Sequence, residues 1–160
     1  MTMLRPLACV GTAFALVGTA HPVRAFPAEL QPIASMLQQR GWQVLLKAPP
    51  RQGTYGMANS KKKILWVHPI TEAMGIMPQT FVHEAVHAVQ SCKTGKMQPL
   101  GYKPPLGYAV DRAVFNNLYR NYDTGKWDIE REAFAIQAQP NRVALITQLI
   151  TQHCPLPSQQ

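Results

Sequence analysis

The most chemically informative segment of this 160-residue chain is the run His83-Glu84-Ala85-Val86-His87. If this run is helical, the two histidines lie four residues apart on one face, so both imidazoles can ligate a single Zn²⁺. Glu84 points aside from that face, where its carboxylate can take a proton from a zinc-bound water without ligating the metal. The spacing predicts one zinc ion held by His83 and His87, with Glu84 as general base. Two core histidines satisfied by hydrogen bonds are the alternative.

A catalytic zinc site ordinarily has a third protein ligand and one open position. The segment 130–135 (EREAFA) offers two carboxylates beside small residues that permit close approach between helices. Residues two apart on a helix differ by about 200° in direction, so both glutamates cannot face one ion. We predict that Glu132 is the third ligand. Glu130 is the alternative, and otherwise a candidate hydrogen-bond partner of a ligand histidine; Asp128 is a further alternative.

The remaining patterns predict the elements that must position these side chains. Helical spacing covers residues 27–40, 79–91, 106–119, 127–139 and 140–152, whereas short strands are predicted at 42–46 and 63–68, with a turn at 53–60. The helix at 79–91 is apolar on its other faces and is therefore predicted to be buried. We expect the two strands to be antiparallel neighbours. The fold class is α+β, with a small N-terminal antiparallel sheet packed on a predominantly helical domain.

Composition and charge exclude several classes of protein. Hydrophobic residues make up 46% of the chain and charged residues 15%, with a formal net charge of +8. This length and composition suit one domain with a real core. The only basic run, Lys61-Lys62-Lys63, directly precedes an apolar strand and has no interleaved aromatics, so we expect a turn rather than a nucleic-acid site. The only long apolar stretch is N-terminal, which excludes a polytopic membrane protein.

The N-terminus has the pattern of a secretory signal peptide. Arg5 supplies a positive charge, residues 7–20 are apolar, and Val23-Arg24-Ala25 fits a cleavage site before Phe26. We therefore predict a cleaved signal peptide at 1–25, a single domain at 26–154 and a flexible tail at 155–160. The mature protein is expected to be periplasmic or extracellular, with no stable membrane insertion. An uncleaved N-terminal anchor is the alternative.

Two cysteines remain after the predicted cleavage. Cys92 lies at the end of the histidine-bearing helix, and Cys154 follows the last predicted helix. An exported chain permits a disulfide, and we predict that these two residues form one; two free thiols are the alternative. The bridge would close a loop of about 60 residues and contribute about 4 kcal/mol on the chain-entropy model.

The paired motifs HEAVH (83–87) and EREAFA (130–135) resemble those of the gluzincin zinc metallopeptidases, in their small bacterial form. In that family the second motif typically has Glu followed by Ala, and this glutamate is the third ligand, which implies Glu132 here. The resemblance also implies a minimal zincin-like domain in which the strand at 63–68 is an edge strand that pairs with an extended peptide. Candidate oxyanion donors are the tyrosines that follow the site, in particular Tyr102 and Tyr108.

These inferences lead to one expected function and two alternatives. The expected function is an exported zinc metallopeptidase that hydrolyses a peptide or protein substrate. One alternative is a non-catalytic, zinc-stabilised peptide-binding protein. The other is a zinc amidase acting on cell-wall material.

Overall fold

The computed structural model describes residues 25–157. The predicted signal peptide, apart from Ala25, lies outside the described residues, as do residues 158–160 of the predicted tail. Within the tail, residues 155–157 belong to neither a helix nor a strand. Among residues 25–157, no helix combines the length and the apolar character that crossing a bilayer requires.

The described chain forms a small three-stranded sheet and a set of helices, so the α+β class is confirmed. In chain order the elements are α1 (Gln31–Gln38), β1 (Gln43–Leu46), β2 (Gly56–Asn59), β3 (Ile64–Val67), α2 (Ile70–Ala73), α3 (Met77–Cys92), α4 (Tyr108–Asn121), α5 (Trp127–Gln137) and α6 (Arg142–His153), with a single 3-10 turn (Thr124–Lys126) before α5. All five predicted helices and both predicted strands are present, with ends displaced by a few residues. Sequence patterning missed β2 and the short helix α2.

The predicted antiparallel pairing of the first strand with the 63–68 strand is wrong. The strand order is β1-β3-β2, in which β1 runs parallel to β3 and β2 runs antiparallel to it. The segment read as a turn contains β2, which returns to β3 through a tight hairpin at Lys61-Lys62-Lys63. Because β2 takes one side of β3, β1 can pair only with the other side. The strand at 63–68 is therefore central, and β2 is an edge of the described sheet.

Helix α3 lies at the centre of the fold. It packs against β2 and β3 on one side and against α5 and α6 on another. The predicted burial of this helix is confirmed, since Phe81, Val82, Ala85 and Val86 are fully buried. Burying an apolar face on each side fixes the rotation of the helix about its axis. That rotation decides where its polar side chains project.

The ends of three helices meet beside a disulfide. Cys92, the last residue of α3, is bonded to Cys154 just after α6, with Cα atoms 5.1 Å apart. The predicted pairing is thus confirmed. Arg40, just after α1, donates from Nε to the Cys154 carbonyl oxygen at 2.5 Å and from Nη1 to that of Met36 at 2.9 Å. These contacts join the ends of α1, α3 and α6.

Candidate metal centre

Three side chains from two helices converge on one point. His83 and His87 lie on α3 and are buried, and Glu130 lies on α5 with its side chain 14% exposed. The two Nε2 atoms are 3.1 Å apart, and Oε2 of Glu130 lies 3.3 Å from each of them. Three ligand atoms of these types, this close together, could hold one metal ion.

The Nδ1 atoms of both histidines face glutamine side chains. His83 Nδ1 lies 2.9 Å from Oε1 of Gln137 on α5, and His87 Nδ1 lies 2.8 Å from Oε1 of Gln90. A neutral histidine that donates from Nδ1 presents the lone pair of Nε2. Both rings are therefore arranged to offer Nε2 to a shared cation, which is the tautomer that a metal site at this point requires.

Surrounding groups fix the orientation of Gln90. Its Nε2 lies 2.9 Å from the carbonyl oxygen of Ile129 and 2.8 Å from Oε2 of Glu132, two acceptors. The NH₂ group of Gln90 must face them, so its Oε1 faces His87 and accepts the hydrogen bond from Nδ1. The direction of this hydrogen bond is thus set by the network around it.

The structure corrects the choice between the two glutamates. Glu132 is buried, but it faces away from the histidines: Oε1 accepts from the backbone N–H of Tyr102 and Oε2 accepts from that of Leu100, both at 2.8 Å. Glu130 is the carboxylate beside the histidines. The prediction of Glu132 as third ligand is replaced by Glu130, because the apolar packing of α5 turns the other face of this helix toward α3.

One face of α5 carries the residues that meet the histidines. Glu130, Ala133 and Gln137 are spaced by three and four residues, so they share one face of α5. Ala133 is fully buried, and the polar residues on either side of it both contact His83. Glu132, Ala135 and Gln139 repeat the same spacing, so this pattern by itself does not distinguish the two glutamates.

Glu84 lies next to the edge strand of the sheet. Its side chain is buried, and the backbone N–H of Ala58 on β2 faces it closely enough to lower its pKa in part. A Cβ atom on Gly56 would lie 2.6 Å from both Cγ and Oε1 of Glu84 and 2.8 Å from Cγ2 of Thr80, which is too close. Glycine at this position of β2 is therefore what lets the strand approach the carboxylate. Sequence reasoning missed Gly56, although a glycine inside a strand often marks such an approach.

The charges of the cluster shift several pKa values. Burial lowers the pKa of His87, but the hydrogen bond to Glu130 and the charges of Glu84 and Glu130 outweigh it and raise the pKa to about 9. Burial by itself raises the pKa of Glu130, yet its bonds with the two histidines prevail and lower it to about 2. Burial raises the pKa of Glu84, with both histidines opposing. Without a metal ion, these shifts favour a protonated His87 imidazole beside an ionised Glu130 carboxylate at neutral pH.

The two tyrosines singled out as oxyanion donors lie on exposed surface. The exposed fraction is 80% for Tyr108, at the start of α4, and 41% for Tyr102, whose backbone N–H binds Glu132. Within the described residues, neither hydroxyl is hydrogen bonded to the cluster. Tyr122 is instead affected by the charges of the cluster. Burial, followed by the charges of Glu130 and Glu84, raises the pKa of Tyr122 to about 12. The oxyanion role of Tyr102 and Tyr108 stays a prediction.

Aromatic packing supports the histidine cluster from α5. The ring of Phe134 lies with its centroid 4.5 Å from that of His83 and 6.3 Å from that of Tyr122. His83 is therefore held between the Phe134 ring and the amide of Gln137, and has little freedom to rotate. The orientation of this imidazole is set by side chains of α5.

Comparisons of the chain with protein-family models, with curated proteins and with solved structures found no match in any of the three. The resemblance to gluzincins stays a prediction that depends on two short motifs, of which the first supplies the two histidines of the cluster. What the structure adds is a His-x₃-His pair and a glutamate from a second helix that could together bind one metal ion.

Proposed function

We propose that this protein is an exported zinc metallopeptidase, in which His83, His87 and Glu130 hold one Zn²⁺ and Glu84 is the general base. The observation that carries the proposal is the triangle of ligand atoms with edges of 3.1 Å, 3.3 Å and 3.3 Å. A tetrahedral zinc with bonds of about 2.0–2.1 Å has neighbouring ligand atoms about 3.3–3.4 Å apart. Two imidazoles and one carboxylate are also the donor set of a catalytic zinc with an open position.

The chemistry divides between the metal and the chain. Zinc, when bound, acts as a Lewis acid and makes water a stronger nucleophile near neutral pH. Glu84 is not among the three ligands, so its carboxylate is free to accept a proton from the attacking water as the carbon–oxygen bond forms. It returns that proton to the amine nitrogen as the carbon–nitrogen bond breaks, which balances the hydrolysis of an amide.

Strand β2 supports a peptide as substrate. It is an edge of the described sheet, and it passes so close to Glu84 that a Cβ atom on Gly56 would lie 2.6 Å from the Glu84 side chain. An extended peptide that pairs with the free edge of β2 would run beside the proposed catalytic base. We therefore move the predicted peptide-binding strand from residues 63–68, where β3 is central, to Gly56–Asn59.

Export is the remaining part of the proposal. It is supported by the Cys92–Cys154 disulfide, because such bonds persist in oxidising compartments. The predicted signal peptide accords with it but lies outside the described residues. We propose that the mature chain acts in the periplasm or outside the cell.

The decisive experiment compares Glu84→Gln with the parent protein. We expect the variant to bind zinc as the parent does, and to lose hydrolysis of a fluorogenic peptide library by about 10²- to 10⁴-fold, as removal of a general base does. Glu72→Gln, at an exposed position of α2, is the matched control and should leave both properties unchanged. His83→Ala should lose both zinc and activity.

The two alternative functions give different results in the same assays. A parent protein that binds zinc, leaves peptides intact and cleaves peptidoglycan fragments would be a cell-wall amidase. A protein that binds zinc and peptides but hydrolyses neither class would be a binding protein. Activity retained by Glu84→Gln would contradict the assigned base.

A further inference from the structure

Glu132 is a buried carboxylate that the proposed reaction does not use. A single side chain, that of Gln90, connects it to the proposed ligand His87. Its two oxygens accept from the backbone N–H groups of Leu100 and Tyr102 and from Nε2 of Gln90, each at 2.8 Å. Three N–H donors around one buried carboxylate form a dedicated site for its negative charge. Two of these donors are backbone groups, so the side-chain amide of Gln90 is the one that the carboxylate can orient.

We propose that Glu132 is a positioning residue for the metal centre: through Gln90 it holds His87 in the tautomer that presents Nε2 to the ion. The inference rests on the metal-binding part of the proposed function. The backbone donors to Glu132 belong to a loop, whereas the Gln90 amide belongs to a side chain that could otherwise turn over. Glu132 opposes that inversion together with the carbonyl oxygen of Ile129, because an inverted Gln90 would place its own carbonyl oxygen against both acceptors, one of them a carboxylate.

The consequence reaches His87 directly. With Gln90 inverted, an NH₂ group would face His87 Nδ1, which would then have to accept, leaving the proton on Nε2. A protonated Nε2 cannot bind a metal ion. The Glu132 carboxylate on α5 therefore selects the tautomer of His87 on α3 through the hydrogen bonds of Gln90. Residues outside the ligand set often orient metal ligands in this way.

The same carboxylate fixes the loop at residues 97–107 beside the centre. Besides its two backbone donors to Glu132, this loop donates from the N–H of Gln98 to the carbonyl oxygen of Gln90 at 3.1 Å. The loop and the Gln90 side chain thus share one anchoring point. Replacing Glu132 by glutamine would leave one acceptor oxygen for three donors, so the loop and Gln90 would compete for it.

A double-mutant cycle on the full chain tests the proposal. The variants are Glu132→Gln, Gln90→Met, which keeps the side-chain length, and the two combined. The measurements are the zinc dissociation constant, by chelator competition, and the visible spectrum of the Co²⁺ form. We expect each single variant to weaken zinc binding by about 10- to 100-fold, the range typical of outer partners of metal ligands.

The double variant distinguishes positioning from a merely structural role. If Glu132 acts through Gln90, the double variant binds zinc within about twofold of Gln90→Met alone, because no further interaction remains to be lost. Losses that multiply, or a Glu132→Gln variant with the affinity and Co²⁺ spectrum of the parent, would overturn the proposal. Asp128, the further alternative ligand, is exposed on α5 and is not part of the cluster. Asp128→Asn is therefore the acid-to-amide control and should alter neither measurement.

A further measurement uses only the parent protein, so it remains possible if the Glu132→Gln variant does not fold. Histidine ring nitrogen NMR of the zinc-loaded parent should show His87 bound through Nε2, with a hydrogen-bonded proton on Nδ1. Coordination through Nδ1 would refute the inference. A parent chain that binds no zinc would instead refute the proposed function, so the two failures are distinguishable.

Discussion

Nε2 of His83 and Nε2 of His87 lie 3.1 Å apart, although the Nδ1 atoms of both rings already face glutamine oxygens. Two nitrogen lone pairs this close repel each other unless a cation lies between them. In the metal-free protein that cation is a proton, which accords with the raised pKa of His87. A metal ion would take the place of that proton.

The identity of the third ligand can be tested on α5. We expect Glu130→Gln to weaken zinc binding by at least about 100-fold, because loss of a ligand costs more than the 10- to 100-fold loss typical of an outer partner. Chelator competition measures the affinity, with Asp128→Asn as the control. Zinc binding unchanged in Glu130→Gln would exclude Glu130 from the metal site.

Gly56 offers a test of the base that leaves the ligands intact. Gly56→Ala would place a methyl group 2.6 Å from the Glu84 carboxylate and must displace it. We expect peptide hydrolysis to fall by about 100-fold, because a displacement of about 1 Å has that cost, while zinc content stays at the parent level. Gly107→Ala is the matched control, since a Cβ there meets no atom within 4 Å and its φ of −61° suits alanine. Full activity in Gly56→Ala would contradict the role of Glu84.

The stability of the metal-free protein should depend on pH through His87 and Glu130. The pKa of His87 is raised from 6.5 to about 9, so its contribution is complete below about pH 6.5 and is lost as the pH rises toward 9. The pKa of Glu130 is lowered from 4.5 to about 2, so its contribution is present above pH 4.5 and is lost as the pH falls toward 2. The raised pKa of Glu84 acts in the same direction as that of His87, because its contribution is complete below pH 4.5 and is lost as the pH rises. Denaturant unfolding should therefore show stability that is greatest near pH 4.5 and falls on both sides.

The pH dependence of the zinc-loaded protein is the control for that of the metal-free protein. Because the metal replaces the proton on His87, the loaded protein should keep its stability between pH 6.5 and 9, where the metal-free protein loses it. Zinc binding near neutral pH should also release protons, which a pH indicator in weak buffer can detect. A metal-free protein whose stability rises between pH 6.5 and 9 would contradict the assigned pKa of His87.

The disulfide should contribute measurably to stability. Its cysteines are 62 residues apart, and a closed loop of that length predicts a loss of about 4 kcal/mol in the free energy of unfolding when both are replaced by alanine. Urea unfolding with and without reductant measures the loss in the parent. The Cys92→Ala/Cys154→Ala variant should be insensitive to reductant, and equal stability of both proteins would contradict the prediction.

Sheet topology shows where sequence patterning fails. The strands at 43–46 and 64–67 were predicted from their apolar runs, but the pairing was not. The segment GMAN of β2 contains glycine and asparagine, which are unfavourable in strands, so it looks like part of a turn. Its position depends on the tight hairpin to β3 and on contact with α3. The turn was expected from the sequence, but the contact of β2 with α3 is a tertiary feature that no local pattern encodes.

The sequence by itself determined the half of the candidate centre that lies within one helix. His83, Glu84 and His87 have fixed relative positions once the segment is helical, and Cys92 follows at the end of the same helix. The tertiary structure alone decided that Glu130 and not Glu132 meets the histidines. Residues two positions apart on a helix point in nearly opposite directions, so only one of the two glutamates can face the histidines. Which one does so depends on the rotation of α5, which is set by the burial of Ala133 and its apolar neighbours against α3.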